Sequence, residues 1–97
     1  MKLKFTPSAR SMFLDTILHI KKEDPEAAQR FRSKAEIGLG RLIEYPESGK
    51  RVQEYPDLDF REVFISPYRF FYKIKNETIW IVAVWHSAQL PKRSTKE

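Results

Sequence analysis

Three side chains in the second half of the sequence are of the types that move protons and hold phosphates: Arg61, Arg69 and His86, the last being one of two histidines in 97 residues. Histidine titrates near neutrality and serves as general acid or base. Two guanidiniums on one face of a sheet would form a bidentate phosphate clamp. Together the three would suit cleavage of RNA through its own 2′-hydroxyl. That reaction needs a base for the hydroxyl, cations for the extra phosphorane charge and an acid for the leaving 5′-oxygen. Each residue also has a structural reading. His86 closes a strand and bonds to backbone or to an acid, and the arginines form a pair of ion pairs, Arg61 with Glu62, Glu54 or a loop carboxylate.

Other chemistries lack their residues. There is no cysteine, so no thiolate nucleophile and no thiolate metal site. No phosphate-binding glycine loop, dinucleotide fingerprint, zinc-protease motif or nucleophile elbow is present. Asp57 and Asp59 have no third ligand within sequence reach and read as turn formers, so no metal and no cofactor is expected. His19 complements the dipole of the first helix at its end. The basic pairs Lys50-Arg51 and Lys92-Arg93, with Lys73, are candidates to extend a phosphate or target-binding track. Tyr45, Tyr55 and Tyr68 punctuate loops, where they could stack on bases or cap core edges.

The elements that must position these groups follow from periodicity and caps. Lys2 to Phe5 alternates as a short strand. Thr6-Pro7 then opens a helix with Met12, Phe13, Ile17 and Ile20 on one face and Leu14 and Leu18 on its shoulders. Asp24-Pro25-Glu26 repeats the start signal for a second helix, whose stripe is Ala28, Phe31, Ala35, Leu39 and Leu42. The short break between them predicts an antiparallel hairpin. Gly38 and Gly40 weaken this helix and suggest close packing. Residues 46 to 59 form a loop, with an edge strand near Arg51 to Glu54. The period then changes to two, and Phe60 to Ile65, Arg69 to Lys75 and Thr78 to Trp85 read as an antiparallel meander.

The order β-α-α-β-β-β predicts an α+β fold, the helical hairpin packed on one face of a small antiparallel sheet. A three-residue loop, Ser66 to Tyr68, sets Ile65 opposite Arg69 and Arg61 opposite Lys73. A two-residue turn at Asn76-Glu77 sets Lys75 opposite Thr78. In that register Arg61, Arg69, Lys73 and His86 share the open face, while Phe70, Tyr72, Ile74, Ile79, Ile81 and Ala83 meet the helices. A one-residue slip in either turn moves these groups to opposite faces.

The length suits one domain over residues 1–97 with a single core, its last residues 92–97 a polar mobile tail. Hydrophobic residues at 41% are ample for that core, and a net charge of +5 favours polyanions or acidic protein surfaces as partners. The N-terminal apolar stretch is too short for a signal peptide, and Ile79 to Trp85 cannot span a bilayer. A cysteine-free small domain fits the reducing cytoplasm.

Asp24-Pro25-Glu26-Ala27-Ala28 at the second helix, Pro46-Glu47-Ser48-Gly49 after it, the run from Phe60 to Ile74 and the ending from Ile81 to Pro91 resemble the RelE/ParE superfamily of bacterial type II toxins. The resemblance runs from about Leu3 to Pro91, and Arg61, Tyr68-Arg69, Tyr72 and His86 carry it. It implies a small basic toxin neutralised by a cognate antitoxin. The RelE-like branch cleaves mRNA on the ribosome without metal, and there His86, Arg61 and Arg69 would be catalytic. The ParE-like branch inhibits DNA gyrase by binding. The Lys-rich patch that RelE-like nucleases place before this sheet is reduced here to Lys50-Arg51, and no tyrosine or basic cluster directly follows His86 as it does in several of those nucleases. The long Asp-Pro helical hairpin and the ending from Trp85 to Pro91 resemble ParE-like sequences more closely.

Overall fold

The computed structural model describes residues 1–88. Lys92 and Arg93, with the whole of the expected tail 92–97, lie outside the described residues. Strand β1 (Lys2–Phe5) leads through Thr6 into helix α1 (Pro7–Glu23), and helix α2 (Pro25–Glu44) follows after the single residue Asp24. The strands β2 (Lys50–Arg51), β3 (Arg61–Ile65), β4 (Tyr68–Lys75) and β5 (Thr78–His86) complete a five-stranded sheet in the order β1-β5-β4-β3-β2. The α+β architecture and the helical hairpin are those expected.

The helices start where their caps dictate. The Thr6 hydroxyl accepts from the Ala9 amide at 3.2 Å. One Asp24 carboxylate oxygen accepts from the amides of Glu26 and Ala27 at 3.1 and 3.2 Å. Each satisfies donors that a helix N-terminus leaves without partners. The stripe Ala28, Phe31, Ala35, Leu39 and Leu42 is buried as its spacing requires. From that stripe Phe31, Ala35, Leu39 and Leu42 meet Ile65, Tyr68, Phe70, Tyr72, Ile79, Ile81 and Val84 from the sheet in one core. Gly38 allows that approach, since a Cβ there would stand 3.1 Å from the Ile65 side chain, whereas a Cβ on Gly40 would meet nothing within 4 Å.

The sheet departs from the sequence expectation in four ways, the last of them a register shift between β4 and β5. It is mixed, because β1 pairs with β5 in parallel (Leu3 with Ile79, Phe5 with Ile81), the two intervening helices supplying the long crossover that parallel pairing needs. The edge strand comes one residue early, at Lys50–Arg51, against Glu62 and Arg61. The β3–β4 turn is the pair Ser66-Pro67 and not a three-residue loop, so Ile65 faces Tyr68 and Arg61 faces Tyr72. Tyr68 belongs to the strand because its ring packs on Phe31, with centroids 5.3 Å apart.

The Asn76-Glu77 turn is as expected, with both residues at positive φ (53° and 59°) and Lys75 opposite Thr78. A register shift then falls between Phe71 and Tyr72, where Tyr72 faces Ile81 but Phe71 faces Ala83. The extra residue returns Val84, and not Ala83, to the core.

Candidate functional site

Those one-residue differences separate the three candidate groups. Arg69 and Lys73 lie on the open face with Glu62, Phe71 and Trp80, while Arg61 and His86 lie on the helix side with Tyr72 and Tyr68. The expected gathering of Arg61, Arg69, Lys73 and His86 on one face is therefore corrected. A turn of two residues in place of three inverts β3 relative to β4, and the shift in β5 does the same for His86.

Arg69 is fully engaged. Its Nε donates to Glu62 Oε1 at 2.6 Å and its Nη2 to Glu62 Oε2 at 2.9 Å. Its Nη1 and Nη2 donate to the two oxygens of Glu54, both at 3.0 Å. The guanidinium carbon lies 4.8 Å from the centroid of Phe71, stacked on the ring. Hydrogen bonds donated to Glu62, first, and to Glu54, second, push the Arg69 pKa further up from its already high ordinary value, against the opposing effect of burial. The cluster is enclosed, with the Arg69 and Glu62 side chains 12% and 7% exposed. Two carboxylates around one cation leave an excess of negative charge, so a phosphate approaching Arg69 is repelled rather than clamped.

Arg61 is committed on the other face. Its Nη1 donates to the carbonyl oxygens of Gly49 at 2.7 Å and Glu47 at 3.1 Å. The Tyr72 hydroxyl reaches the same loop, accepting from the Gly49 amide at 2.9 Å and donating to the Pro46 carbonyl at 2.7 Å. Burial, the largest cause, holds the Tyr72 phenol above its ordinary pKa, and burial does the same for Tyr68. Gly49 is required here, because a Cβ would come within 2.5 Å of the Tyr72 oxygen and 2.7 Å of the Glu62 carbonyl.

His86 packs edge-on against Tyr68, centroids 5.2 Å apart, and its Nδ1 accepts from the Ala88 amide at 3.0 Å. An accepting Nδ1 places the proton of the neutral ring on Nε2. A cleft of about 510 Å³ brings His86 together with His19, Arg30, Lys34, Phe31 and Tyr68.

Of the remaining candidates, Arg51 donates to Asp59 at 3.4 Å and to the Leu58 carbonyl at 3.2 Å, and Lys50 is exposed opposite Glu62. Lys73 is exposed, in a cross-strand row with Trp80 and Lys4. Lys2 and Lys4 lie too far from Lys75 and Trp80 in the chain for spacing to bring them together. The alternation of Lys2 and Lys4 was visible, but only the parallel pairing of β1 with β5 places them beside β4. Among the described residues, no group of three or more metal-ligating side chains is found and no helix is long and apolar enough to cross a membrane.

Comparison with known proteins adds an independent line. The family model described as the ParE toxin of type II toxin-antitoxin system, parDE, matches residues 3–91. Among solved structures, a chain from the chromosomal ParDE TA system of P. aeruginosa superposes with a TM-score of 0.69 at 18% identity, covering 89% of this chain and 95% of that one. At that identity the likeness speaks for the fold. No curated protein matches.

Proposed function

From the premise that the chain belongs to the ParE toxin family of type II toxin-antitoxin systems, we propose that it is a non-enzymatic poison of DNA gyrase, held in check by a cognate antitoxin. The family match over residues 3–91 carries this reading. The state of the candidate catalytic groups supports it. Arg69 is saturated by Glu54 and Glu62, Arg61 is turned to loop carbonyls on the opposite face, and the His86 Nδ1 accepts from backbone. A general acid–base pair beside a phosphate clamp requires convergence within hydrogen-bond reach, and these groups diverge.

Binding surfaces for the two partners follow from exposure and charge. Leu14 and Leu18, one turn apart on α1, are 49% and 59% exposed. They offer an apolar stripe on which an amphipathic antitoxin segment would be buried. The basic balance favours acidic surfaces on both partners. The site of action is the cytoplasm, where gyrase works.

The test is expression of the toxin without antitoxin, with plasmid supercoiling and mRNA 3′ ends followed in the same cells. Relaxed or cleaved DNA with intact mRNA is the expected result. Codon-phased mRNA ends with normal supercoiling would instead select a RelE-like ribosome-dependent endoribonuclease.

A further inference from the structure

The open face has a second basic region, diagonally across from Arg69, at the Asn76-Glu77 turn. Pairing of β1 with β5 and of β5 with β4 lines up two rows, Lys4-Trp80-Lys73 and Lys2-Thr78-Lys75. Neighbouring strands lie about 4.8 Å apart and alternate residues about 6.7 Å apart, so the lysine Cα atoms mark a rectangle of roughly 10 by 7 Å. Trp80 lies on one long side of that rectangle, between Lys4 and Lys73.

Unlike Arg69, these cations are uncompensated. All four lysines are exposed, and among the described residues none makes an ion pair. Glu77, in the adjacent turn, pairs with none of them. The contact that does form is aromatic, with Lys4 Nζ 5.8 Å from the Trp80 ring centroid. A shallow depression of about 430 Å³, bordered by Thr6, Lys73, Lys75, Asn76, Trp80 and Val82, opens beside the indole.

We propose that this corner binds single-stranded nucleic acid, one base stacking on Trp80 and the adjoining phosphates lying among Lys2, Lys4, Lys73 and Lys75. Charge complementarity calls for a polyanion. The indole among the lysines chooses the kind, since a sheet face bearing aromatics flanked by cations is a stacking platform for unpaired bases. An acidic peptide would use the lysines and have no need of the ring. Stacking also requires bases free of a duplex, which a broad sheet face cannot enter. This activity is separate from gyrase inhibition and can be present or absent whatever the toxin's target.

The experiment is titration of fluorescein-labelled oligo(dT) with the purified chain, read by anisotropy across a salt series. Four phosphate contacts predict a log–log salt slope of about −3, at about −0.7 per contact. Trp80→Ala is expected to weaken binding roughly tenfold or more, and Trp80→Phe to keep most of it. Lys4→Glu with Lys73→Glu should weaken it at least as much as Trp80→Ala. The charge-matched pair Lys21→Glu with Arg32→Glu, on the helices, should leave affinity near that of the native chain. No binding at low salt overturns the proposal, as do equal losses in the two charge-reversed pairs. Competition by poly-glutamate as effective as by oligo(dT), with Trp80→Ala indifferent to both, also overturns it and marks the corner as a dock for an acidic protein segment.

Discussion

The two sides of the sheet use cations in opposite ways. Towards β2 and β3 each arginine is fastened: Arg69 to Glu54 and Glu62, Arg61 to the carbonyls of Glu47 and Gly49, Arg51 to Asp59 and Leu58. Towards β1 and β5 four lysines stand in water, with Trp80 between one pair and Thr78 between the other. A cation's type alone therefore does not mark a binding site. Arginine's planar fork suits enclosed bidentate pairing, and on the β2–β3 side it holds the loops of residues 46–59 to the sheet. Lysine's flexible, hydrated head gains little from such pairing and stays available to a partner.

Substitutions on the two sides should therefore differ in kind. The largest effect is expected from Arg69→Met, which leaves the enclosed Glu62 and the partly exposed Glu54 without their cation. Removing one member of a buried cluster costs about 3–5 kcal/mol, to be read from the urea midpoint. Adding Glu54→Gln and Glu62→Gln should recover a large part of that loss. If Arg69→Met alone is neutral, the β2–β3 side is not fastened in this way.

Tyr72→Phe comes next, because it strands the Gly49 amide and the Pro46 carbonyl. A loss of about 1–3 kcal/mol is expected in the same measurement. It also carries a pH signature. The folded-state pKa of Tyr72 is raised by burial. The unfolded chain therefore gives up this proton first, near pH 10. The associated stability is present below about pH 10 and is lost as pH rises through the folded value. Tyr72→Phe should flatten that alkaline fall.

Glu77 holds a positive φ of 59° that costs a residue with a Cβ. Glu77→Gly should raise stability by about 0.5–1 kcal/mol in thermal melts. The smallest effect is expected on the lysine side, where Lys4→Glu with Lys73→Glu should stay within about 0.5 kcal/mol of the native chain. A large loss there would erase the contrast between the two sides.

Sequence alone reached the parts of the structure that are local. Caps at Thr6 and Asp24, the α2 stripe and the Asn76-Glu77 turn are set by neighbours in the chain, and each stands where spacing put it. The acids Glu54 and Glu62 were also legible as ion-pair partners, but for the wrong arginine. Which one they reach depends on whether the Ser66-Pro67 turn holds two residues or three, and the packing of Tyr68 on Phe31 decides that. The position of His86 depends on a register shift four to five residues away, and the lysine corner on parallel pairing between the first and last strands. These are long-range choices of the core, and a single residue of register reverses a face.

In the proposed reading the toxin acts by binding, without acid–base chemistry at His86. Supercoiling by purified gyrase, titrated with the native chain and with His86→Gln, tests it most directly. The expected result is inhibition by both proteins at comparable concentrations, with mRNA on purified ribosomes left uncut. Gyrase unaffected by the native chain, together with ribosome-dependent mRNA cleavage that His86→Gln abolishes, would contradict it.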